Sequence, residues 1–248
     1  MHSKVHFCLQ KSRYTMIVKV CGMRVAENIR QISETDIDFL GLVFWPESSR
    51  FVNQVRSRGG FIPDYSSFAK KVSELGGTPE YLKRVNKPKR VGVFMDDMPQ
   101  TIVQRIYNFN LDMVQLHADE SVVMIENLRR TVDPDIRPVQ VIKTIFVDSA
   151  SDFSCCAEYA SVVDYFLFYP KGADKDGTRE KIDWSLLDSY DGDVPFLIGG
   201  GIGPEDVERL LSIRHPKFAG VDINVCFETE PGVKDVEMVR QFVEALRK

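Results

Sequence analysis

A few positions carry side chains able to do chemistry. Cys21 stands in "KVCGMR" directly before Gly22, and a thiol there serves as a nucleophile or a general base if its pKa is lowered, or simply as a small buried apolar group. Arg50, in "WPESSRF", offers a planar guanidinium for a carboxylate, against the plainer reading of a solvated surface arginine. His117 in "QLHADES" is an acid, a base or a hydrogen-bonded structural residue, and without an evident partner the structural role is favoured. "IGGGIGPEDV" and "VDINVCFET" bring glycines and short polar side chains together, a pattern that lets backbone N–H groups approach an anion such as phosphate. A tight turn capping the helix "PEDVERLL" explains the same glycines without a ligand.

These residues need a scaffold, and the chain supplies a regular one. Short apolar runs alternate with amphipathic segments: the strands expected are 17–21, 39–44, 90–94, 113–116, 138–144, 165–169, 196–199 and 220–225. Helical patterns fall between them at "VAENIRQIS", "DMPQTIVQRIYNF", "ESVVMIENLRRT", "DFSCCAEYA", "IDWSLLDSY", "GPEDVERLLSI" and "VKDVEMVRQFVEALRK". A further helix is expected near 65–75, within a basic Gly- and Ser-rich insertion at about 57–89. Eight βα units in 248 residues predict a single α/β domain, a (β/α)8 TIM barrel spanning 16–248 behind an N-terminal tail, 1–15. A doubly wound open sheet is the alternative, but no GxGxxG follows the first strand.

A barrel carries its chemistry at the carboxyl ends of its strands. That rule selects Cys21, the 44–50 loop, Asp96, His117, Thr144, Tyr169, Gly199–Gly201 and the run from Asp222 to Cys226. Net charge is only −4, which argues against nucleic acid or an anionic membrane as partner and favours a small molecule. Five cysteines without a CxxC pair, and histidines away from the strand ends except His117, suggest neither a disulfide framework nor a metal site. No apolar run reaches the length of a signal peptide or a membrane span, so a cytoplasmic location is expected.

The segments "KVCGMR", "LGLVFWPESSRFV", "RVGVFMDD", "LDMVQLHADES", "IDWSLL", "PFLIGGGIGPEDV" and "GVDINVCFETEPGVKD", in this order, resemble the phosphoribosylanthranilate isomerase family of tryptophan biosynthesis. The resemblance runs from about Ile17 to the C-terminus. It implies an Amadori rearrangement of N-(5′-phosphoribosyl)anthranilate, with no cofactor or metal. Cys21 would take the C2′ proton and Arg50 would hold the anthranilate carboxylate. Phosphate would sit on Gly177, Thr178, Gly200, Gly201 and Asn224. The protein would be a monomer or a homodimer.

One stretch departs from the family pattern. An aspartate usually ends strand six as the acid that opens the ribose, followed by a glycine-rich loop of the type G-G-[ST]-G-K-x-[FI]-D-W. Here "FLFYP" and "KDGTREKIDW" put Tyr169 at the acid position and Arg179 at the loop's second glycine. Gly199 replaces a usual Ser, Ala118 a usual Gly, and Val225 a usual Ser. Asp174 and Asp176 are candidate substitute acids, against the reading that they are solvated loop charges. Three activities follow: a working isomerase, an impaired relative that binds a phosphorylated or aromatic ligand or a partner protein, or a related phosphosugar enzyme that uses Tyr169.

Overall fold

The computed structural model describes residues 16–52, 88–132 and 139–248. Eight parallel strands close in chain order: β1 (Ile17–Val20), β2 (Phe39–Val43), β3 (Lys89–Phe94), β4 (Met113–Leu116), β5 (Gln140–Val147), β6 (Tyr165–Pro170), β7 (Phe196–Gly199) and β8 (Phe218–Ile223). β8 returns to pair with β1, so the expected (β/α)8 barrel is the observed fold. Among the described residues the α-helices are α1 (Ala26–Ile32), α2 (Pro99–Phe109), α3 (Val122–Val132), α4 (Cys156–Tyr159), α5 (Val207–Ser212) and α6 (Val236–Arg247). The helix expected near 65–75 and most of the 57–89 insertion lie outside the described residues, while Lys89 already belongs to β3.

The strands are where the apolar runs placed them, with shifted ends. β5 runs on to Val147, three residues past the expected stop, and β8 begins at Phe218 and ends at Ile223, leaving Asn224 and Val225 to cap and open a short 3-10 helix, Val225–Phe227. Two of the expected helices are much reduced. "DFSCCAEYA" becomes a 3-10 stretch, Ala150–Cys155, and the single turn α4, and "IDWSLLDSY" becomes a 3-10 helix, Trp184–Ser189. Aromatic bulk fills the layer that longer helices would cover: Phe153, Phe168, Tyr190 and Phe196 pack as edge-on or tilted pairs with centroids 4.7–6.0 Å apart.

Inside the barrel, alternate residues along each strand point to the axis. Phe39, Val91, Met113, Ile142, Leu167 and Leu197 form an apolar layer at the amino end. Cys21, Val43 and Val93 form a small apolar group near the carboxyl end, with Trp45 packed on it. Lys19, Gln115, Thr144 and Asp222 are buried polar residues on the strands between. Outside the barrel α6 packs between α1 and α5 and buries Val239, Phe242, Val243 and Leu246, while its Arg247 donates to the carbonyls of Met16 and Asp36 and to Asp38 beside the amino ends of β1 and β2.

Candidate active site

β1 sets the first group. Register places Lys19 beside Asp222 of β8, and the ammonium donates to both carboxylate oxygens at 2.9 Å with both side chains buried. Two residues on, Cys21 lies at the same wall of the mouth, 7 % exposed and near enough to Lys19 to feel its charge. Burial pushes the Cys21 thiol up, and the Lys19 charge pulls it part of the way back. Burial pulls Lys19 down, but Asp222 and Cys21 outweigh it and leave the ammonium above an ordinary lysine. Asp222 is raised by burial and partly restored by Lys19. Gly22 turns the chain at φ +72°, and a Cβ there would lie 2.5 Å from Arg50 Cδ and 2.7 Å from Asn224 Oδ1. The glycine after the cysteine therefore lets the arginine stem cross the end of β1.

Arg50 is carried by the loop after β2. That loop doubles back so that Val52 N–H donates to Val43 O at 2.8 Å and Phe51 bridges to Val43. Arg50 is 6 % exposed and its guanidinium already engaged: Nε and Nη2 donate to Glu228 Oε1 and Oε2 at 2.8 and 2.5 Å. Nη1 donates to the Asp176 carbonyl at 2.6 Å and lies 3.1 Å from its carboxylate. Glu228 comes from a small hairpin, β9 (Glu228–Glu230) and β10 (Val233–Lys234), which also delivers Lys234. Lys234 Nζ donates to Glu228 Oε1 at 2.6 Å and Asn224 Oδ1 at 2.8 Å, so Asn224 faces this cluster from the loop after β8. Burial lowers the Lys234 pKa despite Glu228. Glu228 stays below an ordinary glutamate because Arg50 and Lys234 overcome its own burial.

His117 closes β4 without a charged partner. Its Nδ1 shares a 2.8 Å hydrogen bond with the Thr144 hydroxyl, and Gln115 Nε2 lies 3.2 Å away. Burial, then the charges of Lys19, Lys143 and Lys175, push its pKa down to about 3. The unfolded chain binds that proton near pH 6.5 and the folded chain only near 3, so stability falls as pH drops through this window. The slope reaches about 1.4 kcal/mol per pH unit. His117→Gln is expected to remove that slope from urea unfolding midpoints measured between about pH 4 and 6; an unchanged slope would show that other groups carry it.

Tyr169, one residue before the end of β6, stands where the aspartate was expected. It is 7 % exposed, with its ring edge-on to His117 (5.1 Å) and Phe146 (6.0 Å) and its hydroxyl 3.4 Å from the Asp174 carbonyl. Burial, then the charges of Asp222 and Cys21, hold the phenol above its ordinary range. Gly199 lies between Tyr169 and Asp222: a Cβ there would be 3.3 Å from the tyrosine ring and 3.1 Å from Leu167. A side chain at 199 would therefore press on the tyrosine ring.

Cys21, Tyr169, Gly177, Thr178, Gly200, Gly201 and Asn224 line one cavity, while Arg50 lies behind it in the ion cluster. Its free volume is about 40 Å³, the room that a few water molecules need at roughly 10–15 Å³ each. Gly177, Gly200 and Gly201 all have positive φ. Two of the expected phosphate donors are already spent inside the loops: Gly177 N–H donates to Asp174 O at 3.2 Å and Gly201 N–H to Thr178 O at 3.0 Å. Asp176 is not the solvated charge expected; Ser48, Ser49 and Arg50 bind it. Among the described residues, no group of three or more His, Cys, Asp or Glu is placed to hold a metal ion. No described helix is long and apolar enough to cross a membrane.

Sequence reasoning missed Lys19, Glu228 and Lys234. Lys19 had a signal, a charge at an inward position of the otherwise apolar "IVKV". The other two depend on a hairpin folding back over the mouth, which no local pattern announces.

A closed parallel barrel that gathers its ionisable side chains and glycine turns at the carboxyl ends of its strands has the architecture of a (β/α)8 enzyme. The family model for N-(5′-phosphoribosyl)anthranilate isomerase matches residues 63–245. An N-(5′-phosphoribosyl)anthranilate isomerase of Parabacteroides distasonis is 34 % identical over 231 residues, covering 93 % of each chain. The crystal structure of phosphoribosyl anthranilate isomerase from Thermotoga maritima superimposes with a TM-score of 0.67 at 26 % identity, over 93 % of this chain and 98 % of that one. Another phosphoribosyl anthranilate isomerase, solved in complex with reduced 1-(o-carboxyphenylamino)-1-deoxyribulose 5-phosphate, gives 0.65 at 25 % identity over the same shares. The chain belongs to the N-(5′-phosphoribosyl)anthranilate isomerase family.

Proposed function

We propose that this protein isomerises N-(5′-phosphoribosyl)anthranilate to 1-(2-carboxyphenylamino)-1-deoxyribulose 5-phosphate. Protonation of the ribose ring oxygen opens the ring to an iminium, loss of the C2′ proton gives an enolamine, and the enolamine tautomerises to the ketone. Cys21 takes the C2′ proton, with Lys19 close enough to stabilise the thiolate. Tyr169 occupies the position of the acid. Arg50 with Ser48 and Ser49 receives the anthranilate carboxylate, and the glycine turns at 177 and 200–201, with Thr178 and Asn224, receive the phosphate.

The observation that carries this reading is the common cavity: a cysteine thiol beside a buried ammonium faces the end of β6 in one narrow mouth with the glycine turns. Family membership and the relative solved with a reduced carboxyphenylamino-deoxyribulose phosphate support it. The experiment is loss of phosphoribosylanthranilate fluorescence with purified protein. Turnover that saturates with substrate and is inhibited competitively by the reduced product is the expected result.

A second reading rests on one observation, the buried phenol where an acid is needed. In it the protein binds the phosphorylated aromatic ligand and turns it over scarcely at all. Binding of the reduced product without measurable turnover would select it.

A further inference from the structure

Asp176 sits in the seat proposed for the substrate's carboxylate. Ser48 Oγ donates to one of its oxygens, and Ser49 donates to the other through N–H (3.0 Å) and Oγ (2.6 Å). Arg50 Nη1 lies 3.1 Å from that second oxygen and donates to the Asp176 carbonyl at 2.6 Å. Three backbone or hydroxyl donors and a guanidinium on one carboxylate are what a carboxylate ligand would be offered. The rest of the guanidinium is fixed on Glu228, so no second fork is open to an incoming anion. The charges also balance: Arg50 and Lys234 face Glu228 and Asp176.

Holding this residue in place also shapes the mouth. Asp174 Oδ1 accepts from Asp176 N–H at 2.9 Å, and the next residue, Gly177, is drawn against Val225 and Asn224. The neighbouring Lys175, Gly177 and Thr178 line the cavity of about 40 Å³. A ligand of three linked parts, aryl, sugar and phosphate, needs this loop displaced.

We propose that Asp176 is an internal carboxylate that competes with the ligand's carboxylate for Ser48, Ser49 and Arg50, so that it sets the protein's affinity for aryl carboxylates. This rests on the assignment of Arg50 in the proposed function. Binding displaces the aspartate and lifts the loop after β6, and release restores the closed mouth.

Titration calorimetry with anthranilate on the full chain tests it, with aniline as the carboxylate-free control. Asp176→Asn and Asp176→Gly are expected to tighten anthranilate about tenfold and to leave aniline unchanged. Unchanged anthranilate affinity in both variants, or equal tightening of aniline, overturns the proposal. The isomerase reading fails separately. If the variants tighten anthranilate while neither they nor the parent turn over phosphoribosylanthranilate, competition for the seat stands and the activity does not. If the parent turns the substrate over and neither KM nor anthranilate affinity changes in the variants, the activity stands and the competition does not.

Discussion

Replacing Tyr169 by aspartate is expected to raise kcat for phosphoribosylanthranilate about a hundredfold while lowering the thermal midpoint. The ring-opening step needs a proton donor at the end of β6, and a positioned general acid contributes about 10²–10⁴ in rate. A phenol ordinarily titrates near 10 and a carboxyl near 4, and burial moves this phenol further up, so Tyr169 is protonated but a poor donor. Aspartate would stand at the same place on β6, facing the same cavity beside Cys21 and Asp222. The stability cost comes from the ring: Tyr169 is buried against His117 and Phe146, and truncating a large buried aromatic costs about 3–5 kcal/mol. Gly199→Ser should recover part of that in the aspartate variant and be destabilising alone, since its Cβ would press on the tyrosine ring at 3.3 Å. The measurements are steady-state kinetics and urea unfolding on the two single variants and the double. A folded aspartate variant no faster than the parent would show that the proton is needed elsewhere; a Tyr169→Phe variant as fast as the parent would show that the hydroxyl is not the donor.

Cys21→Ser is expected to lower kcat by about 10²–10⁴ with little change in binding of the reduced product, because only proton abstraction is removed. A serine hydroxyl fits the same space but does not ionise near neutral pH. The parent has a further signature. Burial holds the thiol above its ordinary 9.0, with Lys19 pulling the other way, so the thiolate is a minor species at neutral pH and grows as pH rises. The parent's kcat should therefore climb from about pH 7 towards 9, and the serine variant's profile should be flat over that range. Undiminished turnover in Cys21→Ser removes the thiol from the mechanism. A parent profile that does not rise leaves Cys21 without the role of a base that must first ionise.

The contrast between Tyr169 and Asp176 shows which links sequence can reach. Position 169 is legible because it ends an apolar run, and strand ends are fixed by period and length. Asp176 is one of several charges in a polar loop, and its partners lie 126–128 residues away in the chain. Nothing local distinguishes it from Asp174, whose carboxylate caps a backbone N–H two residues on. The reduced helices after β5 and β6 were illegible for a related reason. Their apolar spacing fits a helix, but the volume available to them is set by Phe153, Phe168, Tyr190 and Phe196 packing across elements.

By itself the sequence determined the barrel, the order of its strands, and the positions of Cys21, His117, Tyr169 and the glycine turns at its rim. These follow from short-range alternation of apolar and polar residues, a property that survives without knowing what each residue touches. Only the tertiary structure decided that Lys19 and Asp222 neutralise each other beneath the cysteine, that Glu228 and Lys234 reach the mouth from a hairpin, and that Arg50 already holds a carboxylate. Each of these is a pairing of buried charges between distant strands and loops. Burial makes such a pair obligatory, but its partner is chosen by closure of the barrel.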